Sequence, residues 1–301
     1  MIQSNSEGFK FMDGLGAGTI VVESGRLKEY VDYIKVNNVE KMYVCDLYFN
    51  SVDLDFLKEL TSIKEININS RYITNANGMY ALKDLKKLTI NDIRREVDIL
   101  EFPKLTTLYV NLECNIQNIS FNNNITSLGV RLYKSKSKTF EEYQKLNNLA
   151  ELRLTQTNLK DLSGIKNLTK LKYIELNYNR SLLDISELAE CKNLEEIQMS
   201  NCKKIHNLTQ TLENIPTLKK IILSDCGEIQ NLEFVKKLPN LKFISFVGTK
   251  VISGDLNPIV GLEYAGFDNK KHYNYRNEQI NPEFAKRAKE SLKNAWKNAN
   301  K

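Results

Sequence analysis

Apolar residues return in one short phrase along most of this chain, a leading apolar position followed by two more, three and five places on. The leading positions are Val39, Ile63, Leu85, Leu105, Ile125, Leu149, Leu171, Leu194, Leu218, Leu241 and Leu262. The steps between them are 24, 22, 20, 20, 24, 22, 23, 24, 23 and 21 residues. The last two members of each phrase alternate with polar residues, as a strand with one buried face requires. In LAELRLTQTNLKDLSGI, from Leu149 to Ile165, Leu152 and Leu154 form the strand, and Leu159, Leu162 and Ile165 bring the chain back along the other side. A constant period of this length predicts a solenoid in which each unit buries its core against its neighbours.

The following units, LKYIELNYN, LEEIQMSNC, LKKIILSDC and LKFISFVGT, repeat the plan. The phrase and its period resemble the bacterial leucine-rich repeat of the internalin-like, short-repeat subclass, over about residues 39–268. The resemblance implies an α/β leucine-rich-repeat solenoid: about eleven parallel strands on a concave face, with turns or brief helices on the convex one. It also implies a buried polar ladder after the strands, carried here by Thr157, Asn179, Cys202, Cys226 and Thr249. Upstream, Arg71, Ile93, Glu113 and Tyr133 stand where the family has Asn, Cys or Thr, so those turns are expected to lack the ladder.

A solenoid exposes its core at both ends and needs covers. Residues 1–38 read as an N-terminal cap, with a strand over Thr19–Val22 and then Leu27, Val31 and Ile34 at helical spacing. The repeats occupy 39–269, and 270–301 is a C-terminal segment. Across Tyr264–Arg276, Phe267, Tyr273 and Tyr275 are expected to lie over the last coil, with a partner-binding rim as the alternative. Asn281 and Pro282 then read as N-cap and first turn of a basic amphipathic helix carrying Phe284, Ala288, Leu292, Ala295 and Trp296 on one face. That helix reads first as a cap, with a partner-binding or membrane-surface helix as the alternatives.

The net charge of +6 resides in the tail. Residues 270–301 hold nine Lys/Arg and three Glu, so the 43 basic and 37 acidic residues of the chain leave 34 of each before it. A neutral solenoid does not favour nucleic acid. No run approaches the roughly 18 apolar residues of a membrane span, and the first 25 residues lack the design of a signal peptide. The expected setting is therefore the cytoplasm, or the exterior if the chain is a mature fragment. Five scattered cysteines without a CxxC pair fit a reducing compartment.

Candidate chemistry is sparse. GLGAGT at Gly14–Thr19 lacks the lysine of a phosphate-binding loop and precedes a strand, so it reads as a turn. His206 and His272 have no metal-ligand spacing and no visible nucleophile partner, so no metal, cofactor or catalytic site is expected. The outward strand positions are more informative, because tyrosine and arginine give large contact area with a polar handle. They include Tyr43, Asn67, Thr89, Tyr109, Arg131, Arg153, Tyr173, Glu175, Gln198, Ile222, Phe243, Ser245, Tyr264 and Asp268. Of these, Tyr109, Arg131, Arg153, Tyr173, Glu175, Gln198, Phe243 and Tyr264 form the expected protein-binding surface, with the first four in one patch. The bland alternative is that strand surfaces tolerate Tyr and Arg anyway. The expected function is thus non-catalytic protein recognition by a monomer. The resemblance adds an intracellular, toxin-neutralising (immunity-type) binder, with a secreted or surface adhesin as the alternative.

Overall fold

In a computed structural model of the chain, residues 1–13, 18–93, 95–283, 286, 290 and 291 are described. An antiparallel hairpin, β1 (Ile2–Ser4) and β2 (Lys10–Met12), leads into β3 (Thr19–Val21) and helix α1 (Leu27–Val36). The repeats begin with β4 (Lys41–Cys45), β5 (Glu65–Asn69) and β6 (Lys87–Asp92). The short back strands β7 (Val97–Asp98) and β9 (Ile116–Gln117) flank β8 (Thr107–Asn111) in sequence. Next come β10 (Ser127–Arg131), β11 (Glu151–Thr155), β12 (Tyr173–Asn177), β13 (Glu196–Ser200) and the short helix α2 (Leu208–Leu212). The array ends with β14 (Lys220–Ser224), β15 (Glu228–Ile229), β16 (Phe243–Ser245), β17 (Lys250–Val251), β18 (Tyr264–Gly266) and α3 (Asn277–Ile280).

Fourteen strands form one sheet in the order β1-β2-β3-β4-β5-β6-β8-β10-β11-β12-β13-β14-β16-β18, parallel from β3 onward. The eleven from β4 are the repeat strands. They run in register, so Leu128, Leu152, Ile174, Ile197 and Ile221 form one buried row, with exposures of 0–1%. Cutting one of these to Ala costs about 2–5 kcal/mol. The back of each coil is mostly a single 3₁₀ turn, started by an Asp or Asn side chain that accepts the N–H two residues on, as at Asp98, Asp161, Asp184, Asn231 and Asp255. Helical turns are wider than the ~4.8 Å strand spacing, so the stack bends with the sheet inside.

The ladder is present where expected. Asn179 accepts from the N–H and the hydroxyl of Thr157 (2.9 and 2.8 Å) and donates to the Leu154 carbonyl (2.9 Å). The Cys202 thiol donates to Leu176 O and the Thr249 hydroxyl to Leu223 O. Upstream, buried Ile93 and Tyr133 fill the space with carbon instead. Two positions differ from the expectation: Arg71 is exposed and pairs with Asp46 while Ser70 is buried, and the turn after β8 is a residue longer, so Glu113 is outside and Cys114 takes the interior, accepting the Ile93 N–H at 3.3 Å.

Both ends are covered. Phe9 packs on Tyr30 and Tyr33 of α1, and the hairpin β1–β2, which the apolar phrase does not encode, extends the sheet. At the rear, Phe267 stacks on Phe246 at 5.3 Å and meets Tyr273 edge-on. Asn281 stands directly before helical residues 282 and 283, at the expected N-cap position, and has a second role. Its amide pairs with the free edge of β18, accepting from Ala265 N (2.9 Å) and donating to Ala265 O (2.6 Å). An unpaired edge strand buried at the end of a stack leaves backbone groups unsatisfied, and this one side chain meets both. Phe284, Ala288, Leu292, Ala295 and Trp296 lie outside the described residues, as does most of the Gly14–Thr19 loop.

Candidate functional site: the concave face

The middle residue of each repeat strand points into the concave face, and in register these give one row: Tyr43, Asn67, Thr89, Tyr109, Gly129, Arg153, Glu175, Gln198, Ile222, Ser245 and Gly266. A second row, one side chain over, contains Lys41, Glu65, Lys87, Ser127, Glu151, Tyr173, Glu196, Lys220, Phe243 and Tyr264.

The centre is built on a missing side chain. Gly129 leaves space on β10, and the Tyr109 ring lies across it; a Cβ there would sit 2.3 Å from Tyr109 Cδ1. The ring thereby reaches toward β11, and Arg153 Nη1 donates to its hydroxyl at 2.9 Å. The Arg153 guanidinium lies 5.5 Å from the Tyr109 ring centroid and 4.8 Å from that of Tyr173. It also pairs with Glu151 (3.0 Å) and Glu175 (3.2 Å). Tyr173 donates to Glu175 at 2.8 Å and to Gln198 at 3.3 Å, and Ser127 donates to Glu151 at 3.1 Å. Asn177 holds the other Glu175 oxygen.

The electrostatics follow from this packing. Burial works against the Arg153 charge, but the Tyr109 oxygen, Glu151 and Tyr173 more than offset it, so its pKa rises. Burial and the Glu175 carboxylate both push the Tyr173 phenol up, keeping it a donor. Arg153 is 32% exposed and Glu175 20%, so the cluster is half-buried and its side chains are held.

The structure therefore brings together Tyr109, Arg153, Tyr173, Glu175 and Gln198. It does not bring Arg131 into that patch. Arg131 is the last residue of β10, where the row position belongs to Gly129, and its Nε donates to Gln156 at the rim (3.1 Å). Counting outward residues in sequence does not distinguish the strand centre from its end. Phe243 and Tyr264 lie farther along, stacked on each other at 4.6 Å with Lys220 Nζ over Phe243 at 5.7 Å. Gly266 has the same role there as Gly129, since a Cβ on it would meet the Tyr264 ring at 2.9 Å.

A feature absent from the sequence reading lies at the other end of the row. A hollow of about 290 Å³ opens beside Tyr109, lined by Thr19, Lys41, Glu65, Asn67, Lys87 and Thr89 together with Met42 and Ile66. Its signal in the sequence is the pair of short side chains, Asn67 and Thr89, between two tyrosines in the same row. His206 and His272 are on the back of the coil and behind the last strands; His272 Nε2 meets Val251 O at 2.9 Å, a structural contact. Among the described residues there is no group of three or more metal-binding side chains, and no helix long and apolar enough to cross a membrane.

Comparison with known proteins agrees with this geometry. The profile of the endo-β-N-acetylglucosaminidase EndoS leucine-rich-repeat domain matches residues 149–248, the most regular coils. Disease resistance protein RPP2A of Arabidopsis thaliana is 34% identical over 108 residues, 35% of this chain and 8% of that protein. A putative adenylate cyclase regulatory protein of Trypanosoma equiperdum is 30% identical over 129 residues, 42% of this chain and 20% of that one. The chain thus spans only about a tenth of the length of the plant relatives it matches, 8% and 12% for the first two. Among solved structures, the TLR13–ssRNA13 complex aligns at TM-score 0.51 with 14% identity, covering 80% of this chain and 41% of that one. An internalin (inlF) of Listeria monocytogenes aligns at 0.48 with 16% identity, covering 84% and 87%. The class is a leucine-rich-repeat solenoid. Residues 149–248 carry the leucine-rich-repeat pattern of that family model, and the sheet extends the same coil on both sides of them.

Proposed function

We propose that the chain is a non-catalytic protein-recognition module that engages its partner across the concave face, centred on Tyr109, Arg153, Tyr173 and Glu175. The observation that carries this reading is the held state of those side chains. Tyrosine and arginine dominate binding hot spots, and side chains fixed before contact lose less entropy on binding. One arginine set between two carboxylates leaves little charge to act at long range, so the patch selects by shape and by donor–acceptor match. Glu65, Glu151, Glu175 and Glu196 distributed over the face disfavour a polyanion such as nucleic acid. Five buried free thiols support work in a reducing compartment.

The test is capture from a native lysate followed by titration of the isolated partner. Arg153→Ala with Tyr173→Ala is expected to weaken binding at least about 30-fold, a hot-spot loss of about 2 kcal/mol. Lys192→Ala, exposed on the convex side, is expected to leave it unchanged. The reverse pattern would move the site to the back of the coil. Capture of a toxin would support the immunity-type reading; capture of an envelope or host-surface protein would favour the adhesin.

A further inference from the structure

We propose that the hollow at the N-terminal end of the concave face receives an acidic side chain from an extended segment of the protein partner. This deepens the concave-face reading and rests on it. Three observations converge. First, the cations are under-used. Glu65 stands between Lys41 and Lys87 at 3.5 and 3.8 Å, beyond hydrogen-bond contact with Lys87 and at its limit with Lys41. Lys219–Glu195 and Lys242–Glu263 close to 2.8 Å, and Lys220–Glu196 on the same face stands at 3.4 Å with one carboxylate to its one lysine, so among the described residues only Glu65 is shared between two lysines of this row. One carboxylate shared by two ammonium groups leaves the hollow with an excess positive charge. An added carboxylate between Lys41 and Lys87 completes both pairs.

Second, the hollow has the shape and lining for a side chain. Its 290 Å³ far exceeds the ~10–15 Å³ that a single water requires. The Tyr109 ring, fixed by Arg153, offers a carbon wall for the methylene groups of a glutamate. Third, Asn67 lines the hollow, yet its amide oxygen is buried without a hydrogen-bond partner among the described residues. A buried acceptor left without a donor is destabilising, so the site gains from supplying one. The last side-chain torsion of asparagine is soft, so a small rotation presents this oxygen to an N–H of the incoming segment. A carboxylate with an adjacent N–H is what a peptide acidic residue carries.

The charge pattern also sets a spacing. Beyond the hollow the balance reverses, because Arg153 is flanked by both Glu151 and Glu175, and the Glu151 side chain is 46% exposed. From β5 to β11 there are four strand spacings, roughly 19 Å. An extended peptide crossing the strands covers that in about six residues. The segment recognised therefore carries Asp or Glu at one end and Lys or Arg about six positions away.

Random-peptide phage display on the immobilised full chain tests this, followed by fluorescence polarisation with the synthetic form of the selected peptide. Enrichment of an acidic residue about six positions from a basic one is expected. Lys41→Ala with Lys87→Ala should reduce affinity at least tenfold, Asn67→Ala about threefold, and Lys87→Glu should shift selection toward basic residues in place of the acid. The lysines are a third or more exposed, so melting temperatures should hold and confirm intact folding. Peptides that depend on Arg153 and Tyr173 but ignore Lys41 and Lys87 would overturn the hollow and leave the concave face standing. Peptides indifferent to all four positions, or no selected binders, would sink both.

Discussion

Replacing Arg153 by Ala removes the hub of the central cluster, and its cost follows from the contacts counted there. Two part-exposed cation–π contacts, at 4.8 and 5.5 Å, contribute about 0.5–1 kcal/mol each. The pairs with Glu151 and Glu175 add about 0.2–1 kcal/mol each, discounted for their exposure. The bond from Nη1 to the Tyr109 hydroxyl adds about 0.5–1.5 kcal/mol. These share atoms and do not sum, so the expected loss is about 2 kcal/mol. Urea denaturation followed by far-ultraviolet circular dichroism reads it as a lower midpoint at constant slope. A cycle with Glu175→Gln should give a coupling of at least about 0.5 kcal/mol. Arg153→Lys should recover only part, because an ammonium lacks the planar fork that stacks between two rings. A loss below about 0.5 kcal/mol with no coupling would mean that the side chains splay in solution, and the argument from a held binding surface would fall with it.

Two further outcomes follow from the coil interior. Asn179→Ala leaves the Thr157 N–H, the Thr157 hydroxyl and the Leu154 carbonyl unpaired in the core, and should cost about 3–5 kcal/mol in the same denaturation assay; a change under about 1 kcal/mol would refute the ladder. Burial pushes the Cys191 and Cys226 thiols up to about 12, so both should resist a thiol-specific reagent at pH 8 until the chain unfolds. Their folded pKa lies above the unfolded one, so the stability they contribute is full below about pH 8.5 and is lost as pH climbs toward 12. Rapid labelling of the native protein would place those thiols at the surface.

The period was legible in the sequence because a strand buried on one face must alternate, and Leu152, Leu154, Ile174 and Leu176 do. The ladder was legible from Thr157 onward, where each turn has the same length. At Arg71 and Glu113 the interior falls to a neighbour, Ser70 and Cys114, since a change of one residue in a turn shifts that position without disturbing the period. Asn281 was legible as a capping residue but not as the cap of β18, because the edge it satisfies belongs to a strand sixteen residues earlier. The hollow was invisible for a related reason. It depends on lateral neighbours, Tyr109 against Thr89 and Asn67, that lie 20 or more positions apart and meet only through the register.

Register also explains why one face offers three different chemistries. Each row samples one position per coil, so a substitution alters the face locally and leaves the core row beneath it untouched. The N-terminal hollow has cations short of a partner, the centre holds one arginine between two carboxylates, and Ile222, Phe243 and Tyr264 give the far end an apolar and aromatic character. The centre contributes rigidity together with a spare carboxylate that suits a basic side chain. Affinity for a chosen partner then comes from the hollow and the centre together, and the register fixes how far apart they are. Weakening Arg153 should therefore harm binding twice, through its own contacts and through loss of the Tyr109 wall that borders the hollow. In a cycle between Arg153→Ala and Lys87→Ala, partner binding should be non-additive even though the two side chains never touch. Strict additivity would show that the hollow and the centre act as separate sites.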